Sequence, residues 1–333
     1  MARRKLSSQQ KARIANIQEK RRQKLAAKVE SKLAETEGQE HRSGRVIVRH
    51  GQNVIIRDEN NQQIHAMFRQ NLGDVVCGDN VVWQSTADNE GVVVAVLDRD
   101  SSLSRPDYSG REKPLAANIT RLIVVLAPEP EPTGYLLDQY LIAAELIGVE
   151  AVICLNKADL MTPEQQQAFH QQFSHYEKIG YPIIQISAKQ HDGLEPLFEK
   201  LKDNTSILVG QSGVGKSSLI NALIPQEHVE EGKLSEATGL GKHTTSAATL
   251  YRLNYGGEII DSPGVRSFRL GKIDRRQLET GFHEFTDYLG QCRFHNCQHN
   301  AEPGCAIRAA VEAGTIHPDR LTNFLHMAQQ LEH

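Results

Sequence analysis

The sequence predicts a multidomain chain: a small N-terminal β-barrel, a central α/β domain, and a C-terminal α-helical module organised around a metal. Three observations carry this reading. Short β-rich runs fill residues 44–99, apolar strands alternate with amphipathic helices across residues 118–264, and cysteines and histidines cluster at residues 292–305. A length of 333 residues favours two or three domains. The divisions expected are a basic arm at 1–40, the barrel at 41–103, the α/β domain at 104–272, and the metal and helical module at 273–333.

The arm comes first. Residues 1–33 hold eleven Lys or Arg against Glu19 and Glu30, a net charge of +9, whereas the rest of the chain is −12. Such asymmetry suggests a tail that meets a polyanion, most simply nucleic acid; a solvated, partly helical tail is the alternative. The start is polar, which argues against a secretory signal, and no apolar run is long enough to span a membrane. A cytoplasmic protein is expected.

Five runs, Arg45–Arg49, Asn53–Arg57, Ile64–Arg69, Asn80–Ser85 and Gly91–Leu97, are separated by Gly, Asp and Asn breakers. Five short strands at this spacing point to an OB-like barrel, whose common use is oligonucleotide binding. A β-barrel serving only as a spacer stays open, because fold alone does not give function.

In the α/β region, strands are expected at Leu122–Leu126, Ala151–Leu155, Ile183–Ile186, Ile207–Val209 and Glu258–Ile260. Helices are expected at Tyr135–Ile147, Pro163–Ile179, Gly193–Leu201 and Lys216–Leu223. The alternation implies a mostly parallel sheet covered by helices.

Chemistry sits at the strand ends. Gly210-Gln211-Ser212-Gly213-Val214-Gly215-Lys216-Ser217, continued by Ser218, matches G-x4-G-K-[ST] between a strand and a helix. Its backbone N–H groups can wrap phosphate oxygens, Lys216 can reach the β- and γ-phosphates, and the Ser217 hydroxyl can ligate Mg²⁺. Asn156-Lys157-Ala158-Asp159 supplies the base identity, because the Asp159 carboxylate can accept from guanine N1–H and the 2-amino group together. Adenine offers no such donor pair, and a buried acceptor left unpaired is costly. Ser187-Ala188-Lys189 fits the loop that packs over the base. Asp261-Ser262-Pro263-Gly264 lets Asp261 hold Mg²⁺ through water and Gly264 sense the γ-phosphate. Thr244 or Thr245 would add the switch threonine to Mg²⁺. Together these motifs describe a GTP site.

Their order is unusual: the base motifs precede the phosphate loop, a circular permutation of the Ras-like arrangement. The same sheet forms if the usual termini are joined through Gly193–Asn204 and the chain is cut after Gly264. Where a Ras-like enzyme places a water-orienting glutamine this chain has Val265, and where potassium-assisted GTPases place a loop asparagine it has Gly213. Slow unassisted turnover is therefore expected. His243 is the local candidate to orient or deprotonate water; packing or a partner contact is its other reading.

Among five cysteines, Cys77 and Cys154 stand alone and read as inert buried thiols. Cys292, Cys297, His299 and Cys305 offer three thiolates and one imidazole, a set suited to one structural Zn²⁺ per chain, with His295 a weaker fifth candidate.

Taken with the motifs Gly210–Ser218, Gly239–Thr245 and Asp261–Arg266, the arm, the barrel and the zinc pattern, the chain closely resembles the ribosome small subunit-dependent GTPase A family over nearly its whole length. The resemblance implies a GTPase acting late in 30S ribosomal subunit maturation, with the 30S subunit and 16S rRNA as partners. It also implies hydrolysis stimulated by the small subunit and followed by release, with the family's proposed catalytic histidine at His243. A monomer is expected. Two other readings stand beside it: an RNA-binding assembly factor in which GTP stabilises one conformation, and a permuted GTPase of the large subunit.

Overall fold

The computed structural model describes residues 41–68, 72–106, 111–224, 248–262 and 271–331. The basic arm lies outside them. Two compact units emerge, one containing the described residues up to Val75 together with Asp79–Arg99, the other Val76–Gly78 and everything described from Asp100 onward.

In the first unit, β1 (His41–His50), β2 (Asn53–Asp58), β3 (Gln63–Phe68), β4 (Asn80–Ala87) and β5 (Glu90–Val96) form a barrel. Ladders join β1 to β2, β2 to β3, β3 to β5, β5 to β4, and β4 back to β1, so the ring closes; only β3–β5 is parallel. This is the expected OB-type barrel. Strict alternation in β3 and near alternation in β2 and β5 sends Val54, Ile56, Ile64, Ala66, Phe68 and Val93 inward around Trp83. Arg99 grips the fully buried Asp79 through two hydrogen bonds of 2.7 and 2.9 Å and also donates to the Asp74 carbonyl. The buried carboxylate is therefore paired rather than stranded.

The second unit begins with a hairpin, β6 (Ser102–Pro106) and β7 (Glu112–Ala117), that was not expected. Its main sheet uses β8 (Arg121–Leu126), β9 (Glu150–Leu155), β10 (Ile183–Gln185), β11 (Thr205–Val209), β12 (Thr249–Arg252) and β13 (Glu258–Asp261), in the spatial order β10-β9-β8-β11-β13-β12. All neighbours are parallel except β12, which runs antiparallel beside β13. β8, β9 and β11 are buried almost throughout, as strands covered on both faces must be.

Helices α1 (Gly134–Ile147), α2 (Pro163–Lys178), α3 (Glu195–Leu201) and α4 (Lys216–Leu223) connect the strands. Their ends follow local chemistry: Thr133 caps α1, which stops at Gly148 with φ of 73°, and Thr162 with Gln165 forms a capping box on α2. Leucine and isoleucine from α3 and α4 pack with Ile123, Val125, Leu208 and Ile259 of the sheet.

The C-terminal module comprises α5 (Arg275–Gly281), a single 3-10 turn at His283–Phe285, α6 (Ala306–Glu312) and α7 (Pro318–Leu331). Phe282, Phe285 and Phe324 form its centre, and Ile142 of α1 belongs to the same cluster. A buried ionic network reinforces this junction. Arg320 of α7 pairs with Asp138 of α1 and makes hydrogen bonds of 2.6 and 2.9 Å with Glu284. Tyr176 of α2 and Asn323 of α7 also donate to Asp138, at 2.6 and 2.7 Å.

Beside this network His175 of α2 is buried and stacked on His317, with ring centroids 3.9 Å apart. Burial first, and then the neighbouring His317 and Arg320, push its pKa down to about 4 from an ordinary 6.5. The unfolded chain therefore takes up this proton first. The stability due to neutral His175 is complete above about pH 6.5 and is lost as pH falls towards the folded value. Denaturant unfolding between pH 7.5 and 5 should lose on the order of 1–2 kcal/mol through this group. His175→Gln should flatten that part of the slope, and an unchanged slope would remove His175 as its source.

Candidate nucleotide site and metal centre

The motifs meet at the carboxyl ends of the parallel strands, where such sheets bind ligands. β11 ends at Val209, residues 210–215 form a loop, and α4 starts at Lys216. Gly210 has φ of 140° and Gly215 has φ of 92°. A Cβ at Gly210 would lie 2.3 Å from the Val125 carbonyl of β8, and one at Gly215 would lie 2.4 Å from the Asn156 amide. Both conformation and close approach therefore demand glycine. The buried Lys216 side chain folds across the loop, its Nζ donating to the carbonyls of Gly210 and Gln211 at 2.7 and 2.6 Å. Ser217 and Ser218 are exposed in the first turn of α4.

Asn156 is the centre of the arrangement. Its Nδ2 donates to Val214 of the phosphate loop at 3.0 Å, while its Oδ1 accepts from the Ala188 N–H at 3.0 Å. One buried carboxamide thus fixes the loops after β9, β10 and β11 against one another. Lys157, in the left-handed region with φ of 62°, donates from Nζ to the Gly213 carbonyl at 2.6 Å. The Ala158 N–H donates to Ile186 at 3.0 Å. Asp159 is exposed in the turn Ala158–Leu160, and Gln190 Nε2 donates to its Oδ2 at 3.2 Å. Ser187 and Ala188 are buried and Lys189 is exposed.

Asp261 ends β13, which lies directly beside β11, so its strand end neighbours the phosphate loop. The segment Gly239–Thr245, with His243, Thr244 and Thr245, and the residues Gly264 and Val265 lie outside the described residues. A cavity of about 370 Å³ lined by Glu145, Glu150, Tyr181, Lys200 and His283 opens at the amino ends of β9 and β10, away from these loops.

In the C-terminal module, donor atoms of Cys292, Cys297, His299 and Cys305 all lie within 4.8 Å of one another. His299 Nδ1 is 3.6 Å from Cys292 Sγ and 3.4 Å from Cys305 Sγ. A tetrahedral zinc, with bonds of about 2.3 Å to sulfur and 2.0 Å to nitrogen, sets such a pair about 3.5 Å apart. The donor set and its spacing therefore fit one such ion. The other ring nitrogen, Nε2, faces Glu279 Oε1 at 3.6 Å, the outer carboxylate that orients many metal-binding histidines. His299, and after it Arg275, hold the Glu279 carboxyl below its ordinary range. His295 is exposed and stands outside the cluster. Cys154 is buried and inert, as expected: burial pushes its thiol up to about 12.

Sequence reasoning missed Glu279 and Gln190. Neither lies inside a motif; Glu279 is twenty residues from the histidine it faces, and Gln190 is merely the residue after Ser187-Ala188-Lys189.

Comparison with known proteins agrees with this geometry. The family model described as RsgA GTPase matches residues 96–271. The small ribosomal subunit biogenesis GTPase RsgA of Hahella chejuensis is 44% identical, covering 100% of this chain and 97% of its own. That of Pseudomonas aeruginosa is 43% identical, covering 98% and 97%. Among solved structures, YjeQ from Thermotoga maritima has a TM-score of 0.73 at 33% identity, covering 88% of this chain and 99% of its own. YloQ, a circularly permuted GTPase, has a TM-score of 0.69 at 26% identity, covering 88% and 96%. The chain belongs to the RsgA GTPase family and is a GTP hydrolase with a permuted G domain.

Removing the Asn156 amide strands Val214 and Ala188 backbone groups in a buried site. Asn156→Ala should weaken GDP binding about tenfold or more, given about 1–3 kcal/mol for each buried group left unpaired. Titration with a fluorescent GDP analogue measures this, and wild-type affinity would show that the three loops hold without it.

Proposed function

We propose that this chain hydrolyses GTP to GDP and phosphate as a checkpoint in late maturation of the small ribosomal subunit. The observation that carries the site is the convergence of the phosphate loop and both base loops on Asn156. The loop residues Gly210–Ser218 wrap the phosphates, and Lys216 exchanges its two loop carbonyls for β- and γ-phosphate oxygens. Asn156–Asp159 and Ser187–Lys189 hold the base, with Asp159 accepting from guanine. Ser217, Asp261 and one of Thr244 or Thr245 would hold Mg²⁺, which would supply neutralising charge to the phosphates, and Gly264 senses the γ-phosphate. His243 orients the attacking water in place of the glutamine that Val265 replaces. The reading is supported by relatives whose names place them in small-subunit biogenesis.

The 30S subunit and its 16S rRNA are the proposed partners, met by the basic arm and the barrel, with three working boundaries, after residues 40, 103 and 272, between the four divisions. Among the described residues no helix is long and apolar enough to cross a membrane. A monomer working in the cytoplasm is part of the proposal. Stimulation by the subunit accounts for a catalytic centre that lacks its own glutamine, and hydrolysis then triggers release.

Two measurements test this. GTP hydrolysis should be slow alone and rise steeply with isolated small subunits but not with large ones. Absence of small-subunit stimulation would sink the proposal, and stimulation by the large subunit would replace it with a different assembly role. Elemental analysis should find one zinc per chain, bound by Cys292, Cys297, His299 and Cys305. Cys305→Ser should lose it and lower the melting temperature, because metal binding contributes directly to folding. A zinc-free wild type of equal stability would contradict that assignment.

A further inference from the structure

We infer that Gln190 is a positioning residue for guanine recognition, holding the Asp159 carboxylate in the plane that the base must meet. This rests on the assignment of Asp159 as the guanine acceptor. Asp159 is exposed, and among the described residues the Gln190 amide is the group that hydrogen-bonds its carboxylate, at 3.2 Å to Oδ2. An exposed aspartate samples several rotamers, and capturing two donors of one base at once requires a single one of them.

Gln190 is able to impose that choice because its own backbone is fixed. The Gln190 N–H donates to the Oγ of buried Ser187 at 3.2 Å. Ser187 and Asp192 exchange backbone hydrogen bonds of 2.9 and 3.1 Å, closing the loop around Gln190. The next residue but one before it, Ala188, is anchored to Asn156 at 3.0 Å. The loop turns back through His191 and Gly193, with φ of 53° and 66°. A Cβ at Gly193 would lie 2.6 Å from the Gln185 carbonyl, so this return path is tightly defined.

The chemistry of the pair is directional. The Gln190 Nε2 is a donor only, so Asp159 meets it as an acceptor. A carboxylate oxygen has two lone-pair directions, so Oδ2 can keep the Gln190 bond and still accept from guanine. Ser187-Ala188-Lys189 supplies the loop, and the residue after it supplies the aim. The role is distinct from contact with the base: Gln190 acts through Asp159.

Guanosine and inosine diphosphates separate aim from support, because inosine lacks the 2-amino group and engages the carboxylate through N1–H alone. Fluorescence competition with GDP and IDP should be run on the full-length wild type, Gln190→Ala and the isosteric Gln190→Glu. The wild type should prefer GDP. Gln190→Ala should weaken GDP about three- to tenfold, the range for one net hydrogen bond, and weaken IDP less, so the GDP/IDP ratio narrows. Gln190→Glu keeps the shape but sets an acceptor against Asp159, so its ratio should narrow at least as far. Equal losses for both nucleotides, or an unchanged ratio, would overturn the role of Gln190. A wild type without preference for GDP over IDP would instead overturn the assignment of Asp159, so the two failures are distinguishable.

Discussion

The carboxamide of Asn156 is the constraint on which the nucleotide site depends. It has one acceptor and one donor group, and each is committed to the backbone of a different loop, Ala188 on one side and Val214 on the other. Aspartate in its place would lose the donor, and leucine would lose both, leaving buried backbone groups unpaired. Because the bonds run between strand ends, the site needs those ends on one edge of one sheet, even with β8 between β9 and β11, and is indifferent to their order along the chain. That is why a permuted chain keeps the arrangement: β9, β10 and β11 occupy the same sheet whichever is made first.

A second buried network joins the G domain to the C-terminal module. Arg320 is flanked by Asp138 and Glu284, and its guanidinium lies 4.3 Å from the Phe282 ring centroid. Full burial of a cation is tolerable because two carboxylates and an aromatic face surround it. The contacts continue: α7 also carries Phe324, over which Arg275 sits, and Arg275 bonds Glu279, which faces His299 of the Cys/His cluster. A continuous set of packed groups therefore runs from the Cys/His cluster to α1.

Much of this was legible in the sequence, for identifiable reasons. The barrel strands are short β-rich runs separated by strong turn formers, so their positions follow from composition and breakers, and in β2, β3 and β5 the burial also alternates. The phosphate and base loops carry residues whose chemistry is specific to their place, and the three cysteines and one histidine of the candidate metal centre are clustered within fourteen residues of sequence. The hairpin β6–β7 escaped because it contains Pro106 and Pro114, which weaken a strand signal, and β12 because its Thr-Leu-Tyr-Arg has neither the paired isoleucines nor the motif that mark the equally short β13. Gln190, Glu279 and Arg320 escaped for a different reason. Each is a polar residue of ordinary surface type whose importance comes from a partner brought close only by tertiary packing, such as Asp138, which lies 182 positions from Arg320.

The central position of β11 in the sheet has a consequence for how the chain comes to be folded. Of the parallel strands, synthesis delivers β8, β9 and β10 first, and β9 can pair with β8 and β10 with β9 as each appears. β8 then presents an unpaired edge until β11, about eighty residues later, pairs with it, and β13 must follow to cover β11 in turn. An open edge of apolar parallel strand is the kind of surface that invites wrong partners. Between β8 and β11 the growing sheet thus carries an apolar edge that the finished sheet does not, and the phosphate-loop strand covers it before β13 covers that strand in turn.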